Sequence, residues 1–294
     1  MQLVETHIAE ITLEVKRLQE YGVGIFKRIT TKSALKKAIK KEMVFVDDKV
    51  ASTATFIKGG EKIEYRYYAD NNIETRLKLN LPIIYEDDYL AVVNKPAGIS
   101  VSGNGFKTVA NALSQNLKKS TVFDAVQPQP VHRLDYATTG CLLVGKTNTS
   151  IIALNQLFES KKIHKTYYAV TIGSMKSSGT IDIPIDGKPA ISTFQVLETI
   201  ASQRFKFLNL VKLSPKTGRR HQLRKHMLAI GNPILGDATY FLKDLLLTGK
   251  GLYLQAHSLE FTHPISEGRM FITALCAKKF IKLFPNYISE TKGS

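Results

Sequence analysis

Between residues 33 and 41, apolar Ala34, Leu35, Ala38 and Ile39 recur at helical spacing, while Lys36, Lys37, Lys40 and Lys41 fall on the opposite side. That pattern predicts an amphipathic helix with one packed face and one positive face. Residues 43–46 read as a short strand, Asp47-Asp48 as a turn, Gly59-Gly60 as a second turn, and Ile63, Tyr65 and Tyr67 as an alternating strand. Polar residues 69–75, with Asn71 and Asn72 adjacent, predict a linker. From Leu81 onward longer strands alternate with helices. Strands are expected at 90–93, 141–144, 166–172, 194–197 and 205–213, and helices at 109–117, 151–160, 220–230 and 274–283. A polar turn separates the strands around Phe194 and Phe205, which predicts an antiparallel hairpin. The expected fold class is therefore α+β: a mixed, largely antiparallel sheet flanked by helices over 76–294, preceded by a small α/β unit over 1–75.

Composition adds a partner to this picture. Lysine and arginine number 41 against 25 acidic residues, a net charge of +16 over 294 residues. Such an excess speaks of partners, not of fold, and a polyanion such as nucleic acid leads because neutralised phosphates release counterions. An anionic membrane surface ranks second, although no apolar run approaches the roughly 18 residues of a spanning helix. Residues 1–16 interleave Glu5, Glu10 and Glu14 with apolar positions and lack a signal-peptide core, so cytoplasmic residence is expected. Cys141 and Cys276 stand far apart without a CxxC pair and read as small apolar residues, not as a disulfide or zinc site. No internal repeat and no nucleotide-binding glycine loop occurs.

Two stretches carry candidate chemistry. Val131-His132-Arg133-Leu134-Asp135-Tyr136-Ala137-Thr138-Thr139-Gly140 packs a cation, a carboxylate and two hydroxyls before an apolar strand, where a scaffold holds loop side chains at a cleft. A solvated turn with local capping bonds is the plain alternative. Residues 212–227 hold Lys212, Lys216, Arg219, Arg220, Arg224 and Lys225 without an acid. At a spacing of four, Arg220 and Arg224 share a helix face, with Arg219 and Leu223 in the neighbouring row. Arg224 is the expected bidentate mate for Asp135. His221 and His226, five apart, fall on different faces and do not form a metal pair.

These residues carry a resemblance. HRLDYATTG, from His132 to Gly140, resembles the HRLD-x-x-T-S-G motif of the RluA-like pseudouridine synthases, with Thr139 where serine is usual. Asn94-Lys95-Pro96-Ala97-Gly98, Lys165-Thr166-Tyr167-Tyr168-Ala169, the run from Thr217 to Arg224, and Pro233-Ile234-Leu235-Gly236-Asp237 with Tyr240 match further blocks in order. Leu254-Gln255-Ala256-His257 with His263-Pro264 resembles the closing block. Arg220 and Gln255 depart from the pattern, replacing a small hydroxyl residue and a histidine. The segment 28–65 similarly resembles the small S-four-like RNA-binding domain, which commonly sits N-terminal to this catalytic fold.

The resemblance implies isomerisation of uridine to pseudouridine in structured RNA, large-subunit ribosomal RNA before transfer RNA, by a monomer without cofactor or metal. It implies Asp135 as the catalytic carboxylate, Tyr167 against the uracil as general base, Arg224 paired with Asp135, and Leu223 on the other side of the base. Arg133 would fill the gap left by the flipped nucleotide, with His132 and Thr139 also at the substrate. Lys36, Lys37, Lys40, Lys41, Lys216, Arg219 and Arg220 would grip RNA backbone. Two other classes compete: a non-catalytic RNA-binding or ribosome-assembly protein on the same fold, and a hydrolase pairing Asp135 with His132 or His221. The second lacks a serine or cysteine elbow and a metal cluster.

Overall fold

Thr31 caps the first unit's long helix, its hydroxyl accepting from the Ala34 N–H at 3.2 Å, and the helix runs Lys32–Lys40 with Leu35, Ala38 and Ile39 buried. The structure, a computed structural model, describes residues 2–11, 14–26, 29, 31–68 and 77–286. The chain divides into two units, Met1–Thr75 and Arg76–Ser294. The linker expected at 69–75 lies outside the described residues.

In chain order the first unit comprises β1 (Gln2–Ile8), β2 (Lys16–Arg17), α1 (Leu18–Tyr21), α2 (Lys32–Lys40), β3 (Val44–Val46), β4 (Lys49–Val50), β5 (Phe56–Ile57) and β6 (Lys62–Tyr68). A four-stranded sheet runs β1-β6-β3-β4, and β2 pairs β5 separately. Asp47 and Asp48, at φ 47° and 63°, form the two-residue link of the β3–β4 hairpin. Leu18, Phe26, Leu35, Val44 and Ile63 fill the core. Strand β1, paired with β6 along its whole length, is absent from the sequence expectations. Its alternation is inverted: Glu5 and His7 are half-buried while Val4 and Ile8 are exposed.

The second unit continues with β7 (Ile83–Glu86), β8 (Leu90–Lys95), α3 (Val109–Asn116), β9 (Ala125–Pro130), β10 (Thr139–Thr147), α4 (Asn148–Glu159) and β11 (His164–Ile172). Then come β12 (Ser178–Asp182), β13 (Ile191–Ser202), β14 (Lys206–Pro215), α5 (Gln222–Ala229), β15 (Leu254–Thr262), β16 (Arg269–Thr273) and α6 (Lys278–Leu283). Ten strands form one sheet, ordered β12-β13-β14-β11-β15-β10-β8-β7, with β16 on β15 and β9 on β10. Every pairing is antiparallel except β10 with β15. Alternate residues of β8 and β10 enter two cores: Ala91, Val93, Leu142 and Val144 join residues of α3, whereas Leu90, Val92, Cys141 and Leu143 join Leu154 of α4. Burial on both faces explains why these strands read as unbroken apolar runs.

Two expected helices are shorter than predicted. Residues 274–277 are extended because Gln255 holds them, donating to the Leu275 carbonyl at 2.7 Å and accepting from the Ala277 N–H at 2.9 Å. The departure at 255 thus has a structural task. Helix α5 begins at Gln222, after His221 in the left-handed region at φ 56°, so Arg220 is not on the helix and shares no face with Arg224.

Candidate active site

Asp135 lies in the turn that leads into β10. Gly140, at φ 108°, lets β10 lie against β15; any side chain there would strike the Ala256 carbonyl. Beneath the turn is Lys95, the last residue of β8 and wholly buried. Its ammonium donates to the carbonyls of Pro96 at 2.9 Å, Tyr136 at 3.3 Å and Thr138 at 2.8 Å, and the Thr138 N–H donates to the Asp135 carbonyl at 3.1 Å. Burial pulls the Lys95 pKa down to about 8, with the Asp135 charge pulling the other way. A buried cation thereby holds the loop on either side of the carboxylate.

Helix α5 brings up the opposite wall. Gln222 fixes its start, accepting from the Thr217 hydroxyl at 2.7 Å and the Arg219 N–H at 3.0 Å while donating to the Ile191 carbonyl and the Ser192 hydroxyl, both at 2.9 Å. Arg224 follows, buried, but its fork grips a different carboxylate from the expected one. Nε and Nη2 donate to Asp237 at 2.7 and 2.8 Å, whereas Nη1 stands 3.6 Å from Asp135 Oδ2. Asp237 is pre-set for this role by also accepting the N–H groups of Thr239 and Tyr240. Burial alone would lower the Arg224 pKa; Asp237 and then Asp135 outweigh it and raise it. His221 Nε2 stands 3.9 Å from the other Asp135 oxygen, and its Nδ1 is 2.9 Å from the Tyr240 hydroxyl. Both contacts to Asp135 exceed hydrogen-bond length, so the carboxylate is attracted from two sides without being clamped.

One cleft of about 770 Å³ collects Asp135, Arg224, Tyr167, Leu223, His132 and Arg133, together with Lys216, Arg219 and Arg220. Tyr167 comes from β11, where it pairs with Leu213 and Ala256. Burial, then the Asp135 charge, raise its pKa well above the ordinary phenol value. The His132 ring tilts against Phe158 with centroids 4.9 Å apart, and its Nε2 accepts the Leu143 N–H at 2.9 Å. Burial, with Lys165 nearby, lowers its pKa to about 3 and leaves it a neutral brace. Thr139 does not line the cleft; Thr138 does, and its buried hydroxyl has no partner among the described residues.

The basic stretch sorts into two kinds. Lys225 pairs with Asp186 at 2.8 Å, and Arg219 Nε donates to the Pro189 carbonyl at 3.0 Å. Arg133, Lys216 and Arg220 are exposed, and among the described residues their side chains make no hydrogen bond or salt bridge. In the first unit Lys36, Lys37, Lys40 and Lys41 are likewise exposed, Lys41 capping the end of α2. Sequence reasoning passed over Lys95, Thr138, Asp237 and Tyr240 as site groups, and named His221 beside Asp135 only in the competing hydrolase reading. All five fall inside the motif blocks, which was the available signal.

Among known proteins, the family described as RNA pseudouridylate synthase matches residues 89–229. The chain is 30% identical to "Ribosomal large subunit pseudouridine synthase C" of Rickettsia conorii, covering 85% of this chain and 90% of that protein. It is 31% identical to an "Uncharacterized RNA pseudouridine synthase" of Aquifex aeolicus, over 90% and 91% of the two chains. With "Ribosomal large subunit pseudouridine synthase D" of Haemophilus influenzae it shares 31% identity over 86% of each. Among solved structures, "Human RNA Pseudouridylate Synthase Domain Containing 4" superposes with a TM-score of 0.56 at 26% identity, covering 68% of this chain and 90% of that one.

Proposed function

Since the chain belongs to the RNA pseudouridylate synthase family, we propose that it isomerises uridines of large-subunit ribosomal RNA with Asp135 as its catalytic carboxylate. The observation that carries this is the single cleft in which Asp135, Tyr167, Leu223 and Arg224 meet, wide enough for one extruded nucleotide. Relatives named as large-subunit enzymes support the choice of RNA.

Isomerisation breaks the bond between N1 and the sugar, turns the uracil, and rejoins it through C5. The carboxylate acts on the electron-poor sugar or base. Arg224 faces it at 3.6 Å, and because the fork is occupied by Asp237 the carboxylate remains free to react. Tyr167 and Leu223 form apolar walls that exclude water and orient the base. Arg133, exposed beside Asp135, reaches into the stack that the flipped nucleotide leaves. Arg220, Lys216 and Arg219 meet phosphates along the same cleft, and the α2 lysines of the S-four-like first unit add sequence-blind affinity. The same proposal has a monomer acting in the cytoplasm, every named group coming from one chain.

Asp135→Asn tests the assignment. The variant is expected to fold, to bind a ribosomal RNA stem-loop, and to make no pseudouridine, read by mass spectrometry of the RNA. Wild-type turnover in that variant would refute the carboxylate's role, and loss of pseudouridines from transfer RNA alone in cells lacking the gene would refute the substrate.

A further inference from the structure

A lysine withdrawn from water needs an oxygen to donate to, because an ammonium without one loses its hydration and gains nothing in return. Among the described residues the buried and half-buried lysines meet this need with one exception. Lys95 has its three carbonyls and Lys279 has the Leu252 carbonyl at 2.5 Å. Lys62 pairs with Glu64 at 3.0 Å, Lys146 with Glu86 at 2.8 Å and Lys225 with Asp186 at 2.8 Å. Lys165 has no such oxygen among the described residues.

Lys165 stands near the start of β11, half-buried, and lines the cleft that holds Asp135. Its Nζ lies 5.9 Å from the centre of the Phe158 ring, at the outer limit of a cation–π contact. Burial lowers its pKa and no neighbouring acid pulls the other way. The acids that line the cleft are Asp135 and Glu159, and neither forms an ion pair with it. The fold thus keeps a partly desolvated cation in the cleft with nothing among the described residues to neutralise it, so the missing anion has to arrive with the substrate.

Strand β11 indicates which anion. Lys165 and Tyr167, two residues apart, leave the strand on the same face and both line the cleft. They are separated by about 6.6 Å along the strand, a span that a ribose bridges between its base and its phosphate.

We propose that the Lys165 ammonium binds the phosphate next to the extruded uridine, a subsite distinct from the exposed cations of the rim. The inference rests on the reading above, in which the uracil lies against Tyr167 in the Asp135 cleft. Arg133, Lys216 and Arg220 are exposed and can meet phosphate while the RNA is still stacked. Lys165 meets its partner only when the nucleotide enters the cleft. It therefore favours the flipped state over the stacked one, which a cation serving both states equally does not do.

The test uses the full chain and a ribosomal RNA stem-loop in which single phosphates are replaced, one at a time, by uncharged methylphosphonates. The 2′-hydroxyl beside each replaced linkage is methylated in charged and neutral strands alike. Lys165→Met keeps the length of the side chain without its charge and should weaken RNA affinity about 10-fold, the loss of one charge-assisted hydrogen bond. A methylphosphonate at one of the two linkages flanking the target uridine should cost the wild type the same factor and cost Lys165→Met nothing further. At other linkages the two losses should multiply, and Lys165→Arg should recover most of the affinity. Losses that multiply at both flanking linkages overturn the proposal, and they are the result expected if the ammonium donates to a uracil carbonyl or only supports the fold. Should Lys165→Met fold poorly, the wild type decides alone: full affinity for both flanking methylphosphonates also overturns it. Inactive Asp135→Asn without coupling at Lys165 would sink this inference alone; active Asp135→Asn would sink the reading beneath it.

Discussion

The floor of the cleft and its rim are built on opposite principles. On the floor nearly every polar group is paired: Arg224 with Asp237, Gln222 with four neighbours, Lys95 with three carbonyls. On the rim Arg133, Lys216 and Arg220 are exposed and have no such partner among the described residues. A buried charge left unpaired costs several kcal/mol, whereas an exposed one costs little and stays available to a ligand. The floor therefore fixes geometry, and in the proposed function the rim is left open to RNA. Asp135 stands between, near the Arg224 guanidinium and the His221 ring but clamped by neither.

The largest effect should come from breaking the floor. Asp237→Asn leaves Arg224 buried without its fork, and denaturant unfolding should register a loss of about 3–5 kcal/mol, the usual result of removing one member of a buried ion pair. A loss comparable to that of an exposed pair would end the distinction drawn here. Next, Arg133→Ala with Arg220→Ala should leave unfolding unchanged yet weaken RNA binding, flattening the slope of log affinity against log salt by about 1.5, since each phosphate contact contributes roughly 0.7–0.9. An unchanged slope would show that these two arginines do not meet phosphate. The smallest effect on turnover belongs to the other unit. Replacing Lys36, Lys37, Lys40 and Lys41 together should weaken affinity for long ribosomal RNA while activity on a short stem-loop persists; unfolding of the first unit instead would make the stripe structural.

What could be read from the sequence follows the same divide between local and distant causes. Helix α2 and strands β8 and β10 were legible because burial is written directly into the spacing of their apolar side chains. The HRLD segment advertised its carboxylate through an unusual local density of polar groups. Partnership was less legible. Arg224 was assigned to Asp135, but which carboxylate takes the fork depends on how residues 230–237 turn back. There Gly236 sits at φ 75°, too close to the Gly251 carbonyl for any side chain. Strand β1 escaped because Val4 and Ile8 face outward while Glu5 and His7 face inward, and residues 274–277 because a single distant glutamine overrides their helical pattern. The start of α5 was misjudged for a related reason: the left-handed conformation of His221 is imposed by the fold, not by its own preference.

The lone parallel pairing in the large sheet has a consequence for biogenesis. Thr139 and Gly140 rest on Gln255 and Ala256, and the nearby Cys141 thiol reaches the His257 carbonyl across 116 residues of sequence. During translation the carboxylate-bearing turn leaves the ribosome long before the strand that seats it, and such distant closure is slow. A nascent chain carries Asp135 without a finished pocket until β15 arrives.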